Sequence, residues 1–270
     1  MNEFVVFAGP CAFENDQMAI EIALGVKKAG AHVFRAGLWK GGSSPEKVHW
    51  GVGKLGVRMM EKISYEIMPV ATEVQNESEI SCLNESNFAW LWIGARFMQN
   101  YPLQRVIGKW QIQTGGKVML KRGFGNTIQE TIGAVRLIKS ASGGKEVWVC
   151  ERGIVSFERS DEVRWRPDLL SIPQFQKEGY KVVFDGSHSV GKREYVIPMC
   201  AAAVAAGCDG IMVEVHKEPD KSVTDANQAI SIEEFGELMQ EINSIRRVKD
   251  ELRKRTEDSH TLPIQEGSAR

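Results

Sequence analysis

Two groups of side chains in this sequence are of types that do chemistry. The first is cationic and comprises Arg35, Lys40, Arg96, Lys121 and Arg152. Arg grips a phosphate or carboxylate through paired hydrogen bonds and Lys acts as a point charge, so five cations gathered in one pocket would repel one another without an anion. The ligand that suits them is small and multiply negative. Some pairing with Glu73, Glu151 or Asp185 is expected, without neutralising the set. The second group is Cys11, His188, Glu214 and Asp225. Mixed sulfur, nitrogen and oxygen donors suit a borderline divalent ion (Mn2+, Fe2+, Co2+ or Zn2+) better than Mg2+. Taken singly, His188 reads as a satisfied core histidine and Cys11 as a small buried hydrophobe. Only a shared position makes them ligands.

That position must come from the elements. Apolar runs rich in Val, Ile and Phe recur at 4–8, 31–34, 67–71, 88–93, 117–120, 146–150, 181–184 and 210–213. Between them lie amphipathic segments such as 16–29, 127–139 and 196–206, so strand and helix alternate eight times. Runs apolar on both faces suit parallel strands covered by helices, which predicts a single-domain α/β protein, a (β/α)8 TIM barrel, with a doubly wound open sheet as the runner-up. Nearly every run gives way to ionisable residues at its carboxyl end. In a barrel those ends converge on one face, so the five cations would share a cavity. Cys11, His188, Glu214 and Asp225 would follow strands 1, 7 and 8, which become neighbours when the barrel closes.

Composition excludes other classes. The chain has 270 residues, 43% hydrophobic and 26% charged, with 34 Lys+Arg against 35 Asp+Glu. This is an ordinary globular balance with no global field toward nucleic acid or membrane. No apolar run reaches the roughly 18–20 residues a bilayer requires, and a cytoplasmic protein is expected. Five scattered cysteines without C-x-x-C spacing argue against a disulfide framework or a zinc knuckle. Residues 1–245 read as the barrel and 246–270 as a charged helix end and tail, partly mobile. Gly51-Val-Gly53-Lys-Leu-Gly56 matches G-x-G-x-x-G without the strand, helix and acidic residue that dinucleotide binding needs. Gly123-Phe124-Gly125 opens the helix after strand 5, where its amides could help hold a phosphate.

Several blocks carry a resemblance: Gly9-Pro10-Cys11, Arg35-Ala36-Gly37, 40–45, 69–74, Ile93-Gly94-Ala95-Arg96, Leu120-Lys121-Arg122-Gly123, Cys150-Glu151-Arg152-Gly153, Ser187-His188 and 209–216. In order and over most of the chain, they resemble the 3-deoxy-D-arabino-heptulosonate 7-phosphate (DAHP) synthase family, which is shared with 3-deoxy-manno-octulosonate 8-phosphate synthase. The resemblance implies a TIM barrel that condenses phosphoenolpyruvate with a phosphorylated aldose, using a divalent metal in most members. It puts the metal on Cys11, His188, Glu214 and Asp225, and phosphoenolpyruvate on Arg35, Lys40, Arg96, Lys121 and Arg152. It implies aldose contacts at Ser43, Ser44 and Asp225, and catalytic roles for Lys40, Glu151 and His188. Glu151 is the candidate for handling the proton of the attacking water, or else orients Lys121 or Arg152. Members are commonly homo-oligomers, tetramers or dimers. The chain starts almost at strand 1, so an added regulatory domain and aromatic amino acid feedback are not expected.

The departures cluster on the aldose side. Where many members have Lys-Pro-Arg-Thr-Ser, with the Arg gripping the aldose phosphate, this chain has Lys40-Gly41-Gly42-Ser43-Ser44. Three readings follow: condensation with erythrose 4-phosphate, condensation with another aldehyde (arabinose 5-phosphate or an unphosphorylated acceptor), or a catalytically silent binding barrel. Erythrose 4-phosphate is favoured, which would place the chain at the first step of the shikimate pathway.

Overall fold

The computed structural model describes residues 3–40, 51–157 and 164–260. Eight parallel strands close into a barrel: β1 (Val5–Gly9), β2 (Val33–Arg35), β3 (Val70–Val74), β4 (Trp90–Ile93), β5 (Lys117–Lys121), β6 (Val147–Glu151), β7 (Val182–Asp185) and β8 (Gly210–Glu214). The register from Val5↔Gly210 to Gly9↔Glu214 joins β1 to β8 and excludes the open sheet. The described helices are α1 (Asp16–Ala29), α2 (Val57–Glu66), α3 (Glu77–Ser81), α4 (Tyr101–Thr114), α5 (Ile128–Ala141), α6 (Ser171–Lys177), α7 (Gly186–Val190), α8 (Arg193–Ala206) and α9 (Ile232–His260).

The two-residue period of a strand divides the core into two layers. Phe7, Val33, Trp90, Met119, Trp148, Val183 and Met212 fill the barrel interior. There, Phe7 and Trp148 meet Trp90 edge-on, with centroids 5.1 and 5.2 Å apart. Residues of the opposite phase, such as Val6, Phe34, Leu120 and Ile211, pack against the helices. The inward phase runs on from Val33 to Arg35, Met119 to Lys121, Val183 to Asp185 and Met212 to Glu214. Those charged residues close their strands instead of lying beyond them, as the apolar runs suggested. Each has a countercharge on another strand, so the ladder continues past the last apolar residue.

Local chemistry sets the helix ends. Asn15 accepts from the Met18 amide to start α1, and Thr127 with Glu130 forms a reciprocal capping box on α5. Helix α9 runs through the expected boundary at residue 246. Arg246 stands 4.3 Å over the Phe4 ring, and Lys249 bonds the Val204 carbonyl at 3.2 Å near the end of α8. These contacts dock the start of the expected charged helix end. No helix among the described residues is long and apolar enough to cross a membrane.

Candidate active site

The loops after β1 and β2 are stitched together: the Gly37 amide donates to the Cys11 carbonyl at 3.1 Å and the Leu38 amide to Thr72 Oγ1 at 3.1 Å. A Cβ at Gly9, where φ is +150°, would stand 2.2 Å from the Arg35 carbonyl, so only glycine permits this approach. The stitching sets Lys40 Nζ 2.7 Å from Cys11 Sγ. Cys11 also donates to Asp225 Oδ2 at 3.1 Å. Across the barrel, Asp185 caps α7 by accepting from the His188 amide at 3.0 Å and takes His188 Nδ1 at 2.9 Å. The ring is thereby turned so that Nε2 lies 3.3 Å from Glu214 Oε1 and 3.6 Å from Asp225 Oδ2.

The four expected ligand residues are brought together. One donor atom from each of Cys11, His188, Glu214 and Asp225 lies within 4.8 Å of all the others. Ligand atoms on opposite sides of one ion, at about 2.3 Å for sulfur and 2.1 Å for nitrogen, span about 4.4 Å, so the set fits a divalent ion. Asp225 has φ +54°, a left-handed conformation tolerated by Asp and uncommon for other side chains, which aims its carboxylate at the cluster. Gln228 holds Glu214 Oε2 at 2.6 Å, and Arg164 holds Asp225 Oδ1 at 3.1 Å. Although burial alone would raise them, the neighbouring His188 keeps the carboxyl groups of Glu214 and Asp225 below the usual range. Cys11 is held as a buried thiol. It is 1% exposed, and burial followed by the Glu214 charge pushes its thiol pKa up.

The cationic set divides. Arg35 and Lys121 stand 5.2 and 5.4 Å over the Trp92 ring, which is buried in the barrel interior. Arg35 pairs with Glu214 at 3.1 Å and Lys121 with Asp185 at 2.5 Å, both pairs buried. Arg35 Nε and Nη2 are nonetheless buried with no hydrogen-bond partner, two donors on a wholly buried guanidinium. Among the described residues, neither Arg96 nor the buried Arg152 has a carboxylate at ion-pair distance. Burial lowers the Arg152 pKa and the Arg164 and Arg96 charges lower it further, while Asp185 works against them. A small polyanion would answer all these groups at once.

Glu151 requires a correction. It closes β6 on the outward phase, between the inward Cys150 and Arg152, and accepts from Arg122 at 3.0 Å, the Gly153 amide at 2.7 Å and Ser171 at 3.1 Å. It is fully buried, and these partners occupy both of its oxygens in place of Lys121 or Arg152. The phase of β6 was the available signal. In the Gly123-Phe124-Gly125 loop and the start of α5, the Gly123 amide donates to Met98 Sδ at 3.1 Å and the Glu130 amide to Thr127 Oγ1 at 3.2 Å, so these two amides are already engaged. Gly51 and Gly53 enter a short 3-10 turn packed under Leu38 and Trp39. Ser43 and Ser44 lie outside the described residues, as does Gly42. Pairing of the cations with Asp185 was expected, but sequence reasoning missed Asp185 as the acceptor that turns His188, although the Asp-x-x-His cap spacing was visible. Arg164 and Gln228 carried no local signal.

Fold and site together define a (β/α)8 enzyme in which partly unneutralised cations stand beside four side chains that could hold a metal ion. Residues 1–248 match the model of the DAHP synthetase I family. A phospho-2-dehydro-3-deoxyheptonate aldolase of Thermotoga maritima is 36% identical over 244 residues, covering 90% of this chain and 70% of the relative. A 2-dehydro-3-deoxyphosphooctonate aldolase of Syntrophobacter fumaroxidans is 29% identical over 265 residues, covering 92% and 88%. The crystal structure of a Thermotoga maritima DAHP synthase superposes with a TM-score of 0.84 at 34% identity, covering 92% of this chain and 70% of that one. The chain belongs to the DAHP synthetase I family, whose members join phosphoenolpyruvate to an aldose by aldol-type condensation.

Proposed function

We propose that this enzyme condenses phosphoenolpyruvate with erythrose 4-phosphate, releasing DAHP and inorganic phosphate, and that it depends on a divalent metal held by Cys11, His188, Glu214 and Asp225. The observation that carries the reading is the juxtaposition of the partly unneutralised cations with a four-donor cluster through Arg35, which pairs with the ligand residue Glu214 and keeps two donors in reserve. Arg35, Lys121, Arg152 and Arg96 hold the phosphate and carboxylate of phosphoenolpyruvate and fix its C3 beside the acceptor. When bound, the ion supplies Lewis acidity to the acceptor carbonyl. C3 bonds to the aldehyde carbon. Lys40, kept protonated despite burial by the Cys11, Glu73 and Glu214 side chains around it, donates a proton to the oxygen that becomes the new hydroxyl. Water then adds at the electron-poor C2, its released proton restoring Lys40, and the resulting hemiketal phosphate collapses to the ketone as its C2–O bond to phosphate breaks and the hydroxyl proton leaves with inorganic phosphate.

The octulosonate relatives support arabinose 5-phosphate as a second acceptor, and Gly42 withholds the Arg that other members bring to the aldose phosphate. Phosphate release is measured with phosphoenolpyruvate and a panel of erythrose 4-phosphate, arabinose 5-phosphate and the unphosphorylated sugars. The highest kcat/KM is expected with erythrose 4-phosphate. Preference for another acceptor overturns the heptulosonate reading, and no release with any acceptor overturns the condensation. Chelation should abolish turnover and Mn2+ or Co2+ restore it better than Mg2+. Full activity after exhaustive chelation refutes the metal assignment.

A further inference from the structure

A three-residue segment, Arg164-Trp165-Arg166, stands over both halves of the site. Its backbone is tied at both ends. The Arg164 amide donates to the Val190 carbonyl at 2.8 Å, and Arg166 exchanges bonds with Ile154, at 3.0 Å from its amide and 2.9 Å to its carbonyl. Arg164 reaches the cluster through Asp225 and Gln228, at 3.1 and 3.2 Å from one Nη1. Trp165 makes a separate set of contacts. Its ring stacks on Phe124, with centroids 4.5 Å apart and planes 14° from parallel, and the Arg152 guanidinium carbon stands 5.4 Å from the indole centroid. The loop bearing Phe124 is itself held, because the Phe124 carbonyl accepts from the Val155 amide at 2.8 Å. Gly153 follows Arg152 at φ +87°, and a Cβ there would press to 2.7 Å from the Trp165 Cβ. The close seat of the indole against Arg152 therefore requires the glycine.

Arg152 needs such a seat. Arg35 and Lys121 are oriented by buried carboxylates, but among the described residues Arg152 has none at ion-pair distance. A guanidinium with no carboxylate to fix it gains its orientation from a π face, which leaves its N–H edge free for an incoming anion. We propose that Trp165 is a positioning residue of the anion site, its indole face holding the Arg152 guanidinium toward the cavity from the same backbone segment that steadies Asp225 through Arg164. The inference rests on the reading that the cations hold phosphoenolpyruvate.

The test is a double-mutant cycle read by calorimetric titration with phosphoenolpyruvate, in wild type, Trp165→Leu, Trp165→Phe, Arg152→Ala and Trp165→Leu/Arg152→Ala. Trp165→Leu should weaken binding roughly 3- to 30-fold, whereas Trp165→Phe, which keeps a π face and loses only the N–H, should stay within about twofold. In the Arg152→Ala background Trp165→Leu should cost less than about twofold. In turnover, KM for phosphoenolpyruvate should rise more than kcat falls. If the loss persists undiminished without Arg152, or if Trp165→Phe falls as far as Trp165→Leu, the positioning role is wrong. Trp165→Met is the second variant without a π face should Trp165→Leu fail to fold. A wild type that ignores phosphoenolpyruvate but binds inorganic phosphate removes the substrate reading alone, and the same cycle with phosphate then decides the role of Trp165. Binding of neither anion overturns both.

Discussion

The two ends of the barrel treat charge in opposite ways. At the carboxyl ends of the strands, Arg35, Asp185 and Glu214 are fully buried, with Lys121 4% and Arg152 5% exposed. At the amino ends, Glu3 and Lys117 meet at 3.1 Å with side chains 50% and 47% exposed, and Lys181 stands 3.5 Å from both Glu3 and Glu146. Solvent screens the amino-end pairs, so each is worth little. Burial at the other end makes each charge depend on its partner and strengthens its action on a ligand. Chemistry and stability are thus separated along the barrel axis: preorganised charge at one end is carried by the aromatic packing of Phe7, Trp90 and Trp148 below it.

The largest effect that this contrast predicts is at Asp185. Asp185→Asn removes the countercharge of Lys121 and the acceptor that turns His188, so stability should fall by about 3–5 kcal/mol as a buried cation loses its partner. Mn2+ affinity should drop about 10–100-fold in parallel. Urea unfolding and metal titration read the two separately, and a variant as stable as wild type would contradict the account of the buried end. Arg96 is the opposite case at the same end, exposed and without a carboxylate partner among the described residues. Arg96→Ala should weaken phosphoenolpyruvate binding by about 2–3 kcal/mol, roughly 30–150-fold, while stability stays within about 0.5 kcal/mol. Unchanged affinity by calorimetry would remove Arg96 from the site.

The same contrast explains what was legible in the sequence. All eight strands announced themselves as apolar runs because parallel strands are buried on both faces. Cys11, His188, Glu214 and Asp225 came together because strand ends converge once the barrel closes. Glu151 was misjudged because adjacency to Arg152 was read without the alternation of the strand, which sends the two side chains to opposite sides of the barrel wall. Arg164, Trp165 and Gln228 were not legible as site residues, since they sit in loops whose positions are set by bonds to distant segments, such as Arg164 to Val190. Of the segment from 246, read as a charged helix end and tail, the helix end is docked by Arg246 and Lys249 through a ring face and a helix end, contacts that composition does not show, and residues 261–270 lie outside the described residues.

At the amino end, Lys117→Gln should cost no more than about 1 kcal/mol, because its partner Glu3 keeps Lys181 and both are half-exposed. A loss of 3 kcal/mol or more in urea unfolding would erase the distinction between the ends.

The smallest effect is a drift with pH at His32, at the amino-end edge of β2. Its Nδ1 accepts from the Val6 amide at 3.1 Å, a bond that requires the lone pair of the neutral ring. Partial burial, then the nearby Arg246 charge, lower its pKa against the pull of Glu3. A folded-state value below the unfolded one of about 6.5 makes the neutral ring's contribution complete above that pH, and it is lost as pH falls toward the folded value. His32→Asn supplies an uncharged acceptor for the same amide, so the variant should lack this component between about pH 7 and 5. Unfolding midpoints followed over that range decide the matter: parallel profiles for wild type and His32→Asn would mean that His32 titrates alike in both states. A variant flatter than wild type would locate a weak acid sensitivity at the end of the barrel that does no chemistry.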